Sequence, residues 1–258
     1  VADPGVDAIN LGLRGRVVLV TGGVRGVGAG ISAVFAEQGA TVVTCARRPV
    51  DGLPHEFHAC DVRDDAAVAA MITAIAERHG RLDAVVNNAG GSPYALAADA
   101  SANFSRKIVE LNLLGPLSVA QHANAVMQTQ DGGGTIVNIS SVSAHRPSPG
   151  TAAYGAAKAG VDNLTTSLAV EWAPKVRVNS VIVGMVETEQ SELFYGDADS
   201  VAAVAATVPL GRLATPADVG WAAAYLSSPL ASYVSGAALA VHGGGEPPAY
   251  LDASSANK

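Results

Sequence analysis

Tyr154 and Lys158 stand one helical turn apart in Tyr154-Gly155-Ala156-Ala157-Lys158, inside the Ala-rich stretch Ala152–Trp172 that reads as a helix. Residues at this spacing share one helix face, so the phenol and the ammonium project together. A cation beside a phenol stabilises phenolate and draws its pKa down from ~10 toward neutrality. Such a phenol can give or take a proton at ordinary pH. The same spacing recurs by chance on exposed helices, so its surroundings decide. Upstream, just past the apolar run Thr135–Ile139, stand Ser140 and Ser141, whose hydroxyls can hydrogen-bond a carbonyl oxygen.

A second group of residues suits anion binding. The run Arg16–Thr21 passes directly into Thr21-Gly22-Gly23-Val24-Arg25-Gly26-Val27-Gly28 and on into the helical segment Gly26–Gln38. Glycines in such a turn let the backbone bend sharply and approach a diphosphate, while the helix start offers unpaired N–H groups. The loop lacks the Lys-Ser/Thr ending of an NTPase loop, which disfavours ATP hydrolysis. An acidic residue ending the next strand would take the ribose hydroxyls of NAD. This chain instead reads Cys45-Ala46-Arg47-Arg48, with Arg25 in the glycine loop. Each arginine alone reads as a solvated surface charge. Together they favour the 2′-phosphate of NADP, through charge-assisted hydrogen bonds, over NAD as the alternative.

These groups need a scaffold, and the chain alternates short β-branched runs with Ala-rich helical stretches. Strands are expected at Arg16–Thr21, Thr41–Ala46, Glu56–Cys60, Ala84–Asn87, Thr135–Ile139, Val176–Val183 and Ala238–Val241. Most are nearly continuous apolar runs, as in strands covered on both faces. Helices are expected at Gly26–Gln38, Ala66–His79, Ser101–Thr129, Ala152–Trp172 and Pro216–Ser227. This alternation demands right-handed crossovers and a parallel sheet. Asp64 and Thr215-Pro216 mark helix starts. The segment 187–208 is the one long excursion without a strand, carrying Glu187, Glu189, Glu192, Asp197 and Asp199 beside Phe194 and Tyr195. It reads as a substrate lid, with a structural excursion as the alternative.

Composition narrows the function classes. The 258 residues are 49% hydrophobic and 15% charged, which excludes a disordered protein. The net charge is −7 and the 16 Lys and Arg are scattered, so nucleic acid is not an expected partner. Cys45 and Cys60 read as core residues rather than a disulfide framework or zinc site. The histidines show no metal-ligand spacing, and no metal is expected. No run reaches the ~20 apolar residues of a membrane span, and no secretory signal is recognisable at the start. A soluble, cytoplasmic protein is expected.

Thr21-Gly-x-x-x-Gly26-x-Gly28, Asn87-Asn88-Ala89-Gly90, Asn112, Ser141 and Tyr154-x-x-x-Lys158 together resemble the short-chain dehydrogenase/reductase family. The likeness continues through Arg177-Val178-Asn179 and Gly211-Arg212 to Val241-His242-Gly243-Gly244. It implies a single Rossmann-type α/β domain over 14–245, with tails at 1–13 and 246–258. The expected sheet is doubly wound, seven-stranded and parallel, with helices on both faces. In length the chain is similar to 3-oxoacyl reductase-like members. Two departures stand out: Val183-Gly184 where Pro-Gly is usual, and His242 where Asp is usual.

The resemblance also implies roles. Tyr154 would be the general acid for reduction or the base for oxidation, and Lys158 would lower its pKa and bind the nicotinamide ribose. Ser141 would orient the substrate carbonyl, whereas Ser140 reads as a turn-capping hydroxyl. Asn112 would hold a water linking Lys158 to solvent. Gly22, Arg25, Gly26, Val27 and Gly28 would cradle the diphosphate, with Arg47 and Arg48 on the 2′-phosphate. Asp61 and Val62 would meet the adenine, and Asn88, Ala89 and Gly90 would pass the ribose. Gly184, Val186 and Thr188 would border the carboxamide. Ser143, His145, Met185, Phe194 and Tyr195 are candidates for the substrate pocket. Its largely apolar lining suggests a ketone or secondary alcohol on an apolar skeleton. The alternatives are a 3-oxoacyl thioester (CoA or carrier-protein) reductase, an NAD-dependent hydroxyacyl or steroid-type alcohol dehydrogenase and, remotely, a cofactor-binding regulator without turnover. The family is usually oligomeric, so a homotetramer or homodimer is expected.

Overall fold

The computed structural model describes residues 10–250. Seven strands form one parallel sheet: β1 Val17–Thr21, β2 Thr41–Ala46, β3 Glu56–Ala59, β4 Ala84–Asn87, β5 Gly134–Ser141, β6 Val176–Val183 and β7 Ala238–Val241. Their order across the sheet is β3-β2-β1-β4-β5-β6-β7. The direction of winding reverses between β1 and β4, and in such sheets a crevice opens there beyond the strand C-termini. The glycine loop leaves β1 at that point.

The apolar runs are explained by cover on both faces. Successive residues of β1 point to opposite sides, so Val17 and Leu19 join one core and Val18 and Val20 the other. The first core is closed by α2 (Asp65–His79), α4 (Gly115–Thr129) and the later turns of α5 (Ala152–Glu171). The second is closed by α1 (Gly26–Glu37) and α8 (Pro216–Ser227). The last two helices approach closely at Gly30, where a Cβ would lie 2.2 Å from the Cβ of Pro216. Leu11 and Leu13, assigned by sequence to a tail, are buried in this second core. Cys45 and Cys60 are free, buried thiols, and burial pushes the Cys45 thiol up to about 12.

Helix starts follow their capping residues. Asp64 accepts from the Ala67 N–H, and Thr215 and Asp218 form a reciprocal capping box behind Pro216. The stretch expected as one helix, Ser101–Thr129, is instead α3 (Ala102–Val109), a π-helical turn at Glu110–Leu114, and α4. Pro116 supplies the physical reason. It has no N–H to give the carbonyl four residues back, which belongs to Asn112, and its ring crowds that carbonyl. The strandless segment 187–208 folds into two short helices, α6 (Ser191–Tyr195) and α7 (Ala198–Ala206). No helix among the described residues is long and apolar enough to cross a membrane.

Candidate active site

Helix α5 presents Tyr154 and Lys158 to the C-terminal end of β5. Lys158 is 3% exposed, and its Nζ donates to the Ile139 carbonyl at 2.7 Å. The same ammonium lies 5.6 Å from the centroid of the Tyr154 ring, within cation–π range. Burial pushes the lysine down to about 8, against the opposing pull of the Asp162 carboxylate one turn further on. The Tyr154 phenol moves the other way from the sequence expectation. Burial raises its pKa, the Ser141 hydroxyl hydrogen-bonded to it lowers it, and the nearby Tyr195 phenol raises it again. The net direction is up because burial outweighs the Ser141 contact. Ser141, at the end of β5, also accepts from the Ser143 N–H at 3.2 Å.

Asn112 is fully buried in the π turn. Its Oδ1 accepts from the Gly91 N–H at 2.8 Å, and its Nδ2 donates to the carbonyls of Gly91 and Ile108, both at 2.9 Å. The amide therefore pins the loop after β4. A Cβ on Gly90 would stand 2.7 Å from Asn112 Oδ1 and 3.4 Å from Lys158 Nζ, so only glycine lets this loop pass the lysine so closely.

The glycine loop is braced from β4. Thr21 Oγ1 accepts from the N–H groups of Asn88 and Ala89, each at 3.0 Å. Asn88 Nδ2 donates to the Thr21 and Gly22 carbonyls. Gly22 has φ +66°, and a Cβ on Gly28 would fall 2.2 Å from the Gly22 oxygen. Val27 packs partly buried beside them. Arg25, at the N-cap of α1, makes no side-chain cap, which leaves first-turn donors to another acceptor. One acceptor is already there: Glu189 Oε1 takes the Gly26 N–H at 3.1 Å. The carboxylate thus uses one of the unpaired N–H groups at this helix start.

Arg25, Arg47 and Arg48 are exposed around the mouth of this crevice. Hydrogen bonds from Arg63 hold the Asp61 carboxyl below its usual range, and the Arg47 charge adds to that. Val62 is buried and packs toward the start of α4 at Gly115.

At the other end of the crevice, β6 ends in Val183 and Gly184. A Cβ on Gly184 would meet the His242 Cα and Cβ at 2.8 Å, so the glycine after Val183 lets the chain pass His242 closely. Val186 pairs with Ala214, and Thr188 with Ser191 begins α6. Burial raises the Tyr195 phenol's pKa, while the Val186 backbone and the Arg146 charge both lower it. Of the pocket candidates, Tyr195 lies near enough to raise the Tyr154 pKa. His145 turns to Asp162 Oδ2 at 2.9 Å, and Phe194 is 62% exposed. Met185 is held by its carbonyl to Ala214, and the Ser143 carbonyl packs on Gly155. Sequence reasoning missed the bracing by Thr21, the Glu189 contact and Asp162. Asp162 did carry a signal, since it lies one helical turn beyond Lys158.

Comparison with known proteins agrees with this geometry. A family model described as enoyl-(acyl carrier protein) reductase matches residues 22–246. The cis-4-hydroxycyclohexanecarboxylate dehydrogenase of Sinomonas cyclohexanicum is 39% identical over 242 residues, covering 89% of this chain and 96% of that protein. The 3-oxoacyl-(acyl-carrier-protein) reductase FabG of Thermotoga maritima is 32% identical, covering 90% and 98% respectively. One longer relative, the y4vI protein of Sinorhizobium fredii, is matched over 43% of its length. Among solved structures, the ligand-free aldohexose dehydrogenase of Thermoplasma acidophilum superposes with a TM-score of 0.86 at 31% identity, covering 92% of this chain and 96% of that one. With its parallel sheet, braced glycine loop and Tyr154–Lys158 pair one helical turn apart, the chain belongs to the short-chain dehydrogenase/reductase family of oxidoreductases.

Proposed function

We propose that the protein is an NADP(H)-dependent oxidoreductase that interconverts a ketone and a secondary alcohol on an apolar substrate. The observation that carries this reading is the Lys158 ammonium 5.6 Å from the centroid of the Tyr154 ring, with Ser141 at the end of β5. When bound, the nicotinamide supplies or accepts the hydride. Ser141 orients the substrate oxygen and Tyr154 passes it a proton. The phenol's raised pKa keeps that proton in place at neutral pH, which suits a general acid in reduction. Lys158 holds positive charge beside the ring and faces the ribose side of the crevice near Gly90. Because the Asn112 amide is spent on the Gly91 loop, a water on the lysine side falls to the Asn112 main-chain carbonyl, which Pro116 deprives of its α-helical donor. Arg25, Arg47 and Arg48 are the residues proposed to favour a 2′-phosphate.

The thioester alternative is the weaker one on charge. Arg146, whose charge acts on Tyr195, is paired with Glu246 at 2.8 Å. The lid contributes Glu187, Glu189 and Glu192, which repel the phosphates of CoA or a carrier arm. A homotetramer is proposed from exposed apolar side chains such as Leu114 and Val170, the latter 81% exposed. Light scattering at micromolar concentration tests it, and a monomer mass rejects it. The deciding functional experiment is a screen of NADPH and NADH against ketones and 3-oxoacyl thioesters. Faster turnover of apolar ketones with NADPH is expected, and thioester-only turnover would overturn the substrate reading.

A further inference from the structure

Ser141 stands at the end of β5, and the chain on both sides of it is tied to one carboxylate oxygen of α5. That oxygen is Asp162 Oδ2, from a side chain 14% exposed and two helical turns beyond Tyr154. It accepts from Ser140 Oγ at 2.8 Å and meets His145 Nε2 at 2.9 Å. Ser140 immediately precedes Ser141, and His145 ends the single 3-10 turn Val142–Ala144 that follows it. Asp162 Oδ1 is buried and has no hydrogen-bond partner among the described residues. A carboxylate buried with half its acceptors idle is costly to stability, so a structural role alone explains it poorly. Its two contacts instead close a loop around Ser141.

We propose that Asp162 is a positioning residue for Ser141: by holding Ser140 and His145 to α5, it fixes the Ser141 hydroxyl relative to Tyr154 on the same helix. The turn has its own bonds but only one other seat on that helix. Ser141 Oγ accepts from the Ser143 N–H at 3.2 Å, and the Val142 carbonyl accepts from His145 and Arg146 at 3.0 and 3.2 Å. The other seat is Gly155, where a Cβ would lie 2.7 Å from the Ser143 carbonyl oxygen. Gly155 lets the turn come close to the helix, but a backbone resting on a glycine is free to slide. The Asp162 contacts stop that sliding. Without them the Ser140 hydroxyl and the His145 ring turn to water. A slip of about 1 Å between reacting groups costs up to about a hundredfold in rate. The clamp also gives Ser140 a role beyond capping a turn.

This inference rests on reading Ser141 as the hydroxyl that orients the substrate oxygen, and the test separates the two. The clamp is read without turnover, by amide hydrogen exchange of residues 142–146 in the protein alone. In Asp162→Ala, which removes the acceptor, that exchange should quicken by about tenfold. Ketone reduction by the same variant should lose about tenfold to a hundredfold in kcat. KM for the ketone and Kd for the cofactor should stay within about twofold, since no binding group is removed. Asp162→Asn keeps one acceptor oxygen and should recover most of the kcat. If Asp162→Ala does not fold, Ser140→Ala removes one arm of the clamp and carries the same measurements. Unchanged exchange overturns the proposal, and so does unchanged kcat beside a crippled Ser141→Ala. Quickened exchange beside full turnover by Ser141→Ala would instead uphold the clamp and reject the reading of Ser141.

Discussion

Glu189 and Gly26 are joined across the crevice: the glutamate carboxylate accepts the glycine N–H at 3.1 Å, although the residues are 163 apart in sequence. The link ties the start of the lid to the start of α1, where the nucleotide's diphosphate is proposed to bind. A diphosphate that takes the Gly26 N–H displaces Glu189 from it.

Glu189→Ala should therefore bind the dinucleotide more tightly. A hydrogen bond of this kind contributes about 1 kcal/mol, which corresponds to roughly a fivefold lower Kd. Calorimetric titration of wild type and variant checks this, and weaker binding by the variant would show that Glu189 supports the nucleotide instead.

Cofactor choice should reside in the arginines. Replacing Arg47 or Arg48 by Ala removes a charge-assisted contact to the 2′-phosphate and should weaken NADPH by about tenfold per arginine in contact. NADH, which lacks that phosphate, should change less than about twofold on the same scale. Equal losses for both cofactors would place the arginines elsewhere than on the phosphate.

Lys158 ties stability to pH. Burial depresses its folded-state pKa to about 8 from 10.5. A cation with a depressed folded pKa is a burden below that value, where it is charged in both states. The burden lifts as pH rises from about 8 to 10.5, and above that range both states are neutral. Wild type should thus gain stability relative to Lys158→Met between pH 7.5 and 10, by roughly 2–3 kcal/mol at full span. Urea titrations at several pH values measure the gap. A gap independent of pH would mean that the lysine is not desolvated in solution.

Much of the scaffold was legible because its cause is local. Val17 to Val20 alternate between two cores, so a run apolar at every position already means a strand covered on both faces. Asp64 and Thr215 announce their helices because a cap needs only the next turn of chain. The π turn was hidden by the apolar pattern around it, although Pro116 beside Asn112 carried the hint. Helices α6 and α7 were missed because their mixed residues lack apolar periodicity, despite the cap that Asp197 gives Ser200. In the site, the placing of Tyr154 and Lys158 one turn apart on a helix was readable from spacing, while the choice of Ser141 over Ser140 came from the family resemblance. The direction of the Tyr154 shift was not, because it depends first on burial, which only the tertiary structure supplies. The Glu189–Gly26 and Asp162–His145 contacts arise from tertiary packing that no spacing rule encodes.

The most direct test of the account is the Tyr154→Phe variant, assayed for NADPH-dependent ketone reduction alongside calorimetric cofactor binding. Loss of the proton donor should lower kcat by roughly a hundredfold to ten-thousandfold, while the cofactor Kd stays within about twofold. Turnover equal to wild type in that variant would contradict the assignment of Tyr154 as the group that protonates the substrate.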